Sequence, residues 1–249
     1  MGHPTARERA RAEFTADLLD AARARLAADG AAALSLRAVA RDLGVASSAV
    51  YRYVPSRDGL LTLLIIEAYD AVGTACEAAA AQAREAGAAP GQVWLATGRA
   101  FRAWALAHPH SFSLVYGTPV PGYAAPTDTV PHAVRIWVVI VATVIDAHRD
   151  GSLRTDRAMV TVPTGTVERA ALDLGAQVAS ATARAGDATG EQAWGEAEVV
   201  ACFALFSTLV GATTVELFGH LRGAATDLAG VFDATLVAAA TGIGLVVEP

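Results

Sequence analysis

Residues 36–61 read LRAVARDLGVASSAVYRYVPSRDGLL, a stretch that indicates two short helices joined by a tight turn. Apolar side chains at the spacing i, i+3, i+4, i+7 mark the buried face of the first helix: Leu36, Val39, Ala40 and Leu43. Ser35 can cap this helix, and Gly44 can end it because glycine adopts the left-handed conformation of a helix terminus. The predicted helix is only about eight residues long.

A second short helix follows after Val45 and Ala46. Either Ser47 or Ser48 can cap it, with Val50 and Val54 facing inward. Pro55 stops it, and Ser56 then caps a longer helix. Two short helices joined by a turn that contains glycine are the signature of a helix-turn-helix.

Helices this short need neighbours, because isolated helices below about 12–15 residues are marginal in water. The preceding segment supplies apolar residues at every fourth position before Asp29-Gly30, namely Phe14, Leu18, Ala22 and Leu26. The following helix supplies Leu60, Leu61, Leu64, Ile65, Ala68 and Val72. The sequence therefore predicts a small core shared by four helices.

The charges divide along the chain. All 19 basic residues are arginine, so the chain contains neither a Schiff-base lysine nor a GxxxxGK phosphate loop. Residues 1–57 carry nine Arg against six acidic residues, a net +3, and residues 58–249 carry ten Arg against 19 acids, a net −9. The overall −6 thus conceals a basic N-terminal module on an acidic body.

Composition favours a helical protein, because 58 of the 249 residues are alanine, the best helix former. The longest strongly apolar run, 136–145, has ten residues, short of the roughly 17–25 that span a bilayer. The N-terminus lacks the apolar segment of a signal peptide. We expect a cytoplasmic protein without a membrane partner.

The rest of the chain also predicts helices, separated by a Gly/Pro-rich loop at 117–130. We expect them at about 57–85, 90–108, 111–116, 131–149, 164–185, 191–222 and 227–240. The predicted fold is all-α with nine to ten helices. Its domains are a three-helix DNA-binding module at 1–56 and a larger helical domain for effector binding and dimerisation at 57–249.

Residues 36–61 resemble the DNA-binding domain of the TetR-type (TetR/AcrR) transcriptional regulators, and the resemblance extends over about residues 8–62. It rests on the short helix, the Gly-Val turn, the Tyr-x-Tyr end of the third helix and the basic residue that opens the fourth. The resemblance implies a homodimeric regulator, most often a repressor. Such a protein binds palindromic double-stranded operator DNA and is released by a small-molecule effector.

Residues of the third helix are candidate DNA contacts. The short side chains of Ser47, Ser48 and Ala49 let its N-terminal end approach base edges in the major groove. The hydroxyls of Tyr51 and Tyr53 suit phosphate oxygens beside the groove. Tyr53 fits a partly buried core residue equally well.

Arginines complete the predicted DNA surface. Arg57 opens a helix and suits a phosphate, and Arg37 matches a family position that contacts guanine or phosphate. Arg52 suits either target. Arg41 is interpreted as a surface ion pair with Asp42 or with acids of the first helix. The basic N-terminus is either a phosphate or minor-groove arm or a frayed end, and it comprises Arg7, Arg9 and Arg11.

The body resembles the family's dimerisation half. Trp104 to Pro109, with Gly211, Glu216 and Gly219-His220, is similar to a subgroup named for a Trp-His-Gly pattern, although Phe206 and Val210 stand where that pattern has Trp and His. The resemblance implies a four-helix bundle between protomers, formed by the helices at about 164–185 and 191–222. The expected interface residues are Leu205, Leu209, Val210, Ala212 and Thr213.

Aromatic and histidine residues in the middle of the chain are candidates for the effector pocket. They are Trp94, Phe101, Trp104, His108, Phe112, Tyr116, Tyr123 and Trp137. So few polar groups among them suggest an apolar or aromatic effector with one or two hydrogen-bonding groups. His108 and His110 lack a third metal ligand at a telling spacing, so we expect neither a metal nor another cofactor.

Two other function classes stay open. An enzyme on a helical scaffold would have Glu216 and His220, at i and i+4, as its best acid–base pair, although no catalytic motif is present. A helical bundle that binds only proteins would not need the basic helix-turn-helix. Cys76 and Cys202 fit buried core residues better than a redox-sensing pair.

Overall fold

The computed structural model describes residues 5–154, 162–181 and 194–247. These residues form ten α-helices of five residues or more and one of four residues; their only strand-like pairing is an isolated bridge between Leu153 and Leu245. The helices are α1 (Ala6–Asp29), α2 (Leu36–Asp42), α3 (Ser47–Tyr51), α4 (Arg57–Glu85), α5 (Pro90–Ala107), α6 (Pro109–Tyr116), α7 (Val130–Ala133), α8 (Arg135–Arg149), α9 (Arg169–Ala181), α10 (Glu196–Leu217) and α11 (Leu228–Gly242). The prediction of an all-α protein with nine to ten helices is confirmed.

The chain divides into two compact units. The first contains the chain up to Asp70 together with His108–His132, and the second contains Ala71–Ala107 together with the chain from Ala133 onward. Helix α4 contributes to both units. The first unit therefore includes the start of α4, α6 and the following loop, in addition to the predicted module at 1–56.

The first unit is built on the predicted four-helix core. Val50 and Val54 of the α3 region are 0% and 2% exposed, and they belong to one cluster with residues of α1, α2 and α4. The other buried members of that cluster are Leu18, Ala22, Leu34, Leu36, Val39, Ala40, Leu60, Leu61 and Leu64. Gly44 has φ +67° between α2 and α3, a conformation that only glycine adopts without strain.

Helix capping differs from the prediction at α3. Ala46, not Ser47 or Ser48, occupies the N-cap position, and it provides no side-chain hydrogen bond. Ser35 precedes α2 in an extended conformation but also makes no side-chain cap. Ser56 does cap α4, because its Oγ accepts a hydrogen bond of 3.0 Å from the Gly59 N–H. The hydroxyls of Ser47 and Ser48 are consequently not used for capping.

The loop after α6 packs onto the same unit. Tyr123 packs against its hydrophobic cluster, and the Tyr123 hydroxyl lies 3.0 Å from the Thr62 hydroxyl on α4. At the other end of the loop, His132 Nδ1 lies 2.8 Å from the Asp70 carboxylate. The loop is thus joined to α4 at two points.

The second unit packs α5 and α8 against α10 and α11. Trp94 is 1% exposed, and its indole Nε1 donates a 3.0 Å hydrogen bond to the Leu236 carbonyl of α11. Arg102 of α5 donates two hydrogen bonds to Glu216 of α10, of 2.7 Å and 2.5 Å, and the Glu216 side chain is only 5% exposed. These contacts connect α5 to both C-terminal helices.

Three helical segments are long and apolar enough to cross a membrane, judged by length and composition alone. They are Arg57–Glu85, Thr127–Arg149 and Glu196–Leu217. The sequence analysis counted only uninterrupted runs of strongly apolar residues, and it therefore found no run longer than ten residues and missed these segments. In the most apolar stretches of the first two segments, 44% and 50% of residues are buried, against 28% in α10. Helix α10 therefore exposes more of its apolar surface than the other two.

Candidate nucleic-acid interface

Helix α3 has one anchored face and one open face. Val50 fixes it to the core, while Ser48 and Arg52 are exposed and Tyr51 is 45% exposed. Ser47 and Ala49 are half-buried. The open face of α3 thus presents the Tyr51 ring and hydroxyl to solvent beside Ser48 and Arg52.

Helix α2 adds two exposed arginines to this surface. Arg37 and Arg41 are four residues apart, so they share one face of the helix. Within the described parts of the chain, neither guanidinium forms a hydrogen bond or an ion pair, and the same holds for Arg52. Three guanidinium groups therefore remain available to anionic partners.

The ion pair predicted for Arg41 is wrong. The Asp42 carboxylate accepts two hydrogen bonds from Arg25 of α1, with Nε–Oδ2 at 2.6 Å and Nη2–Oδ1 at 2.7 Å. This bidentate contact lowers the pKa of Asp42, to which Arg41 adds only a weaker electrostatic effect. Because the acid next to it is occupied by another residue, Arg41 is a candidate DNA contact that the sequence did not indicate.

Tyr53 fits both of its predicted roles, as a partly buried core residue and as a candidate phosphate contact. Its ring is half-buried and lies 4.4 Å from the Phe14 ring, centroid to centroid. The Arg11 guanidinium carbon lies 5.6 Å from the same centroid, close enough for a cation–π contact. Its hydroxyl has no hydrogen-bond partner in the part of the chain that the structure describes. The ring packs as a core residue, and the hydroxyl is still free to meet a phosphate.

Arg57 has an intramolecular role that the sequence did not reveal. Its Nη2 donates hydrogen bonds to the carbonyls of Ala31, at 3.0 Å, and Ala32, at 3.3 Å. Those carbonyls belong to the 3-10 turn between α1 and α2. Arg57 therefore ties the start of α4 to that turn, in addition to any contact it makes with phosphate.

The residues predicted for the effector pocket are divided between the two units. Trp94, Phe101 and Trp104 are buried in the second unit, and Phe112 is buried in the first. His108, Tyr116 and Tyr123 also belong to the first unit. In the second unit, Trp137 alone among the eight lines the cavity described next.

A cavity of about 230 Å³ lies between α8, α9 and the N-terminal half of α10. It is lined by Val134, Trp137, Val141, Ala170, Ala171, Leu174, Trp194, Val199, Cys202 and Phe203, and none of these side chains is charged. Within the described residues, the Trp194 Nε1 is buried without a hydrogen-bond partner. Burial raises the pKa of Cys202 to about 12, so its thiol is neutral. The Trp194 Nε1 itself lies against Gly175 of α9. The cavity therefore has an apolar, uncharged wall.

The residues predicted for the dimer interface lie mostly on the inner side of α10. Leu205, Leu209 and Thr213 are 0% exposed in a single chain, while Val210 and Ala212 are half-buried. The first three could contact a partner only by leaving their own core. The exposed stripe of α10 consists instead of Phe203, Ala204, Ser207 and Gly211, with Phe218 just beyond the helix.

Comparison with known proteins agrees with this arrangement. A family model described as bacterial regulatory proteins, tetR family, matches residues 18–64, and one described as tetracyclin repressor-like, C-terminal domain, matches residues 94–239. The chain belongs to the TetR family. It is 37% identical over 235 residues to the HTH-type transcriptional regulator Rv1816 of Mycobacterium tuberculosis, covering 92% of this chain and 91% of that protein.

Two solved structures are similar to this TetR-family chain over nearly its whole length. SCO4313 has a TM-score of 0.67 at 31% identity, over 94% of this chain and 98% of that one. A Rhodococcus sp. RHA1 protein has a TM-score of 0.65 at 23% identity, over 92% and 94% respectively, which supports the fold alone. The chain is accordingly a DNA-binding transcriptional regulator of the TetR family, and a soluble protein.

As a TetR-family regulator the chain is not an enzyme. Glu216, half of the best acid–base pair in the sequence, is held by Arg102 in a bidentate contact rather than by His220. This buried carboxylate stabilises the contact between α5 and α10. Burial raises the pKa of Cys76 also to about 12, so this thiol is neutral as well.

We predict that Arg57→Ala destabilises the TetR-family module even without DNA. The substitution removes two hydrogen bonds from a charged donor, one part-buried and one exposed, and such bonds contribute at most about 1.5–3 kcal/mol each. Thermal or urea unfolding of the DNA-free protein should show the loss. Arg52→Ala, which removes an exposed arginine without a partner, should change the unfolding free energy by less than about 0.5 kcal/mol. Equal stability of the two variants would show that the Arg57 hydrogen bonds contribute nothing.

Proposed function

We propose that this TetR-family protein is a cytoplasmic repressor that binds palindromic operator DNA as a homodimer and dissociates when a neutral, apolar effector binds. The observation that carries the proposal is the surface around α3. A helix anchored by Val50 presents Ser47, Ser48 and Tyr51 beside arginines that no acidic residue pairs with in the described chain.

The proposed contacts divide into two kinds. The N-terminal end of α3, with Ser47, Ser48 and Ala49, is thin enough to approach base edges, and Arg37 can hold a guanine or a phosphate. Tyr51, Arg52 and Arg41 are proposed to contact backbone phosphates, as are the Tyr53 hydroxyl and any unused Arg57 donor. Base contacts select the sequence, and phosphate contacts supply most of the salt-dependent affinity.

The DNA proposal is tested by measuring binding as a function of salt concentration. Each lost phosphate contact should reduce the slope of log K against log salt by about 0.9. We expect Arg41→Gln/Arg52→Gln to weaken binding to specific and unrelated duplexes alike, and Arg37→Gln to weaken mainly the specific one if it contacts guanine. Arg169→Gln/Arg222→Gln is the control, because it removes the same amount of positive charge from the second unit and should leave DNA binding unchanged.

The DNA proposal would be contradicted if the wild-type protein bound neither its own upstream region nor any duplex selected from a random pool. Repression is tested separately, with a reporter gene placed behind the selected operator. Expression that rises when the regulator is added would make it an activator.

Homodimerisation is supported by the outer faces of the last two long helices, α10 and α11. The α10 stripe has small residues at Ala204, Ser207 and Gly211. Helix α11 likewise exposes Ala234 and Ala238, and its one charged residue, Asp233, pairs with Arg99. Small side chains let two helices approach closely, so the proposed four-helix bundle keeps α10, which lies in the predicted segment 191–222, and uses α11 in place of the segment 164–185. Its core is this outer stripe and not Leu205, Leu209 and Thr213.

Gly211→Arg should convert the dimer into a monomer. A Cβ added at Gly211 meets no atom within 4 Å, so a single chain tolerates the change, whereas a second copy packed on the stripe would not. Light scattering coupled to size exclusion should report half the mass, and operator affinity should fall because two half-sites are no longer bound together. Ala81→Arg, on an exposed position of α4, is the control. A Gly211→Arg protein that remains fully dimeric would move the interface elsewhere.

Effector release is supported by the cavity beside Trp137, Trp194 and Phe203. A neutral, apolar ligand suits this uncharged wall, whereas a carboxylate would lose its hydration without meeting a cation. A ligand that favours one separation of the recognition helices over another shifts the dimer away from its DNA-binding state.

We predict that hydrophobic ketones release the operator at concentrations at least about tenfold lower than carboxylic acids of equal size, a difference of roughly 1.4 kcal/mol. DNA release followed by fluorescence anisotropy measures both series. Stronger release by the acids would contradict a neutral site.

A further inference from the structure

Arg7 and Arg11 form a second basic surface in the first unit, which we call the α1 arm. They lie four residues apart on α1, hence on one face, separated by about 6 Å along the helix axis at 1.5 Å per residue. Both are exposed, and in the described chain neither forms an ion pair. Arg9 lies between them in sequence but on the opposite face of the helix.

The α1 arm is part of a well-formed helix and not a frayed terminus. The Thr5 N–H donates to the Glu8 carboxylate at 2.7 Å, and the Glu8 N–H donates to the Thr5 hydroxyl at 3.2 Å, which is a capping box. This box satisfies the N–H groups of Thr5 and Glu8 and engages the Glu8 carboxylate, while the side chains of Arg7 and Arg11 stay exposed.

Tyr53 connects the α1 arm to the recognition helix. The Arg11 guanidinium lies over the Tyr53 ring at 5.6 Å from its centroid. Tyr53 follows the last residue of α3 by two positions, and its N–H donates to the Val50 carbonyl at 2.9 Å. Arg11 is consequently held beside the C-terminal end of α3, and Arg7 extends the same face by one helical turn.

We propose that Arg7 and Arg11 bind backbone phosphates of operator DNA outside the base pairs that α3 contacts. The proposal rests on operator binding by this protein and adds a second contact region to it. Two unpaired guanidinium groups on one helix face, one of them positioned by a residue adjoining the recognition helix, suit successive phosphates of a strand better than a neutral partner. The contact contributes affinity and salt dependence without selecting a base.

The test compares Arg7→Gln/Arg11→Gln with Arg9→Gln on two lengths of the operator selected by the wild-type protein. One duplex extends about six base pairs beyond each half-site, and the other ends at the half-sites. Loss of two phosphate contacts should reduce the salt slope by about 1.8 for each protomer bound. The shorter duplex should bind the wild-type protein and the Arg9→Gln variant more weakly than the longer duplex does. The double variant should bind both duplexes equally. Glutamine preserves helix propensity, and circular dichroism checks the fold.

Each outcome decides the proposal. A reduced slope together with lost dependence on flank length supports it. An unchanged slope in the double variant, or an equal loss in Arg9→Gln, overturns the α1 arm while operator binding itself still stands. If the wild-type protein binds no duplex at all, both operator binding and the arm fail. If the double variant does not fold, Arg7→Gln and Arg11→Gln carry the test singly, with half the expected change in slope.

Discussion

The position of the recognition helix depends on two buried valines. Helix α3 has five residues, far too few to be stable alone, and a helix of this length cannot orient itself by its own hydrogen bonds. Val50 and Val54 bury its inner face among residues of α1, α2 and α4, at roughly 1.5–3 kcal/mol for a fully buried side chain. The α3 residues that are proposed to contact DNA take their direction from that contact. The Arg57 hydrogen bonds join the start of α4 to the turn before α2.

Basic and acidic residues are separated along the chain. Residues 1–57 carry a net charge of +3, and residues 58–249 carry a net charge of −9. The arginines without an ion-pair partner in the described chain concentrate on α1 and α2 and beside α3, whereas several arginines of the second unit pair with acids of that unit, as with Arg84 and Asp146 or Arg135 and Glu77. The proposed dimer and effector contacts of the body are instead apolar, on the outer faces of α10 and α11 and around the cavity. The proposed DNA surface thus differs in chemistry from the other two, which share Phe203.

The helix-turn-helix could be predicted because its signals are local. Apolar spacing, Gly44 and Pro55 each act within a few residues, and Ser56 caps α4 as expected. The partners of Arg57 and Asp42 could not be predicted, because Ala31 lies 26 residues from Arg57, and Arg25 lies 17 residues from Asp42. The sequence also did not indicate which face of α10 is buried. That helix is apolar almost all round, so periodicity does not separate Leu205 and Leu209, which are inside, from Ala204 and Gly211, which are outside.

Both native thiols are buried and protonated, and this makes the molecule convenient to label. Cys76 and Cys202 are the two cysteines of the sequence, and each has a pKa near 12, so thiol reagents at neutral pH find almost no thiolate on either. A cysteine introduced at an exposed position of the first unit would then react alone, without removing the native ones. In a dimer, one spectroscopic probe attached there on each protomer would report directly on the distance between the two helix-turn-helix modules.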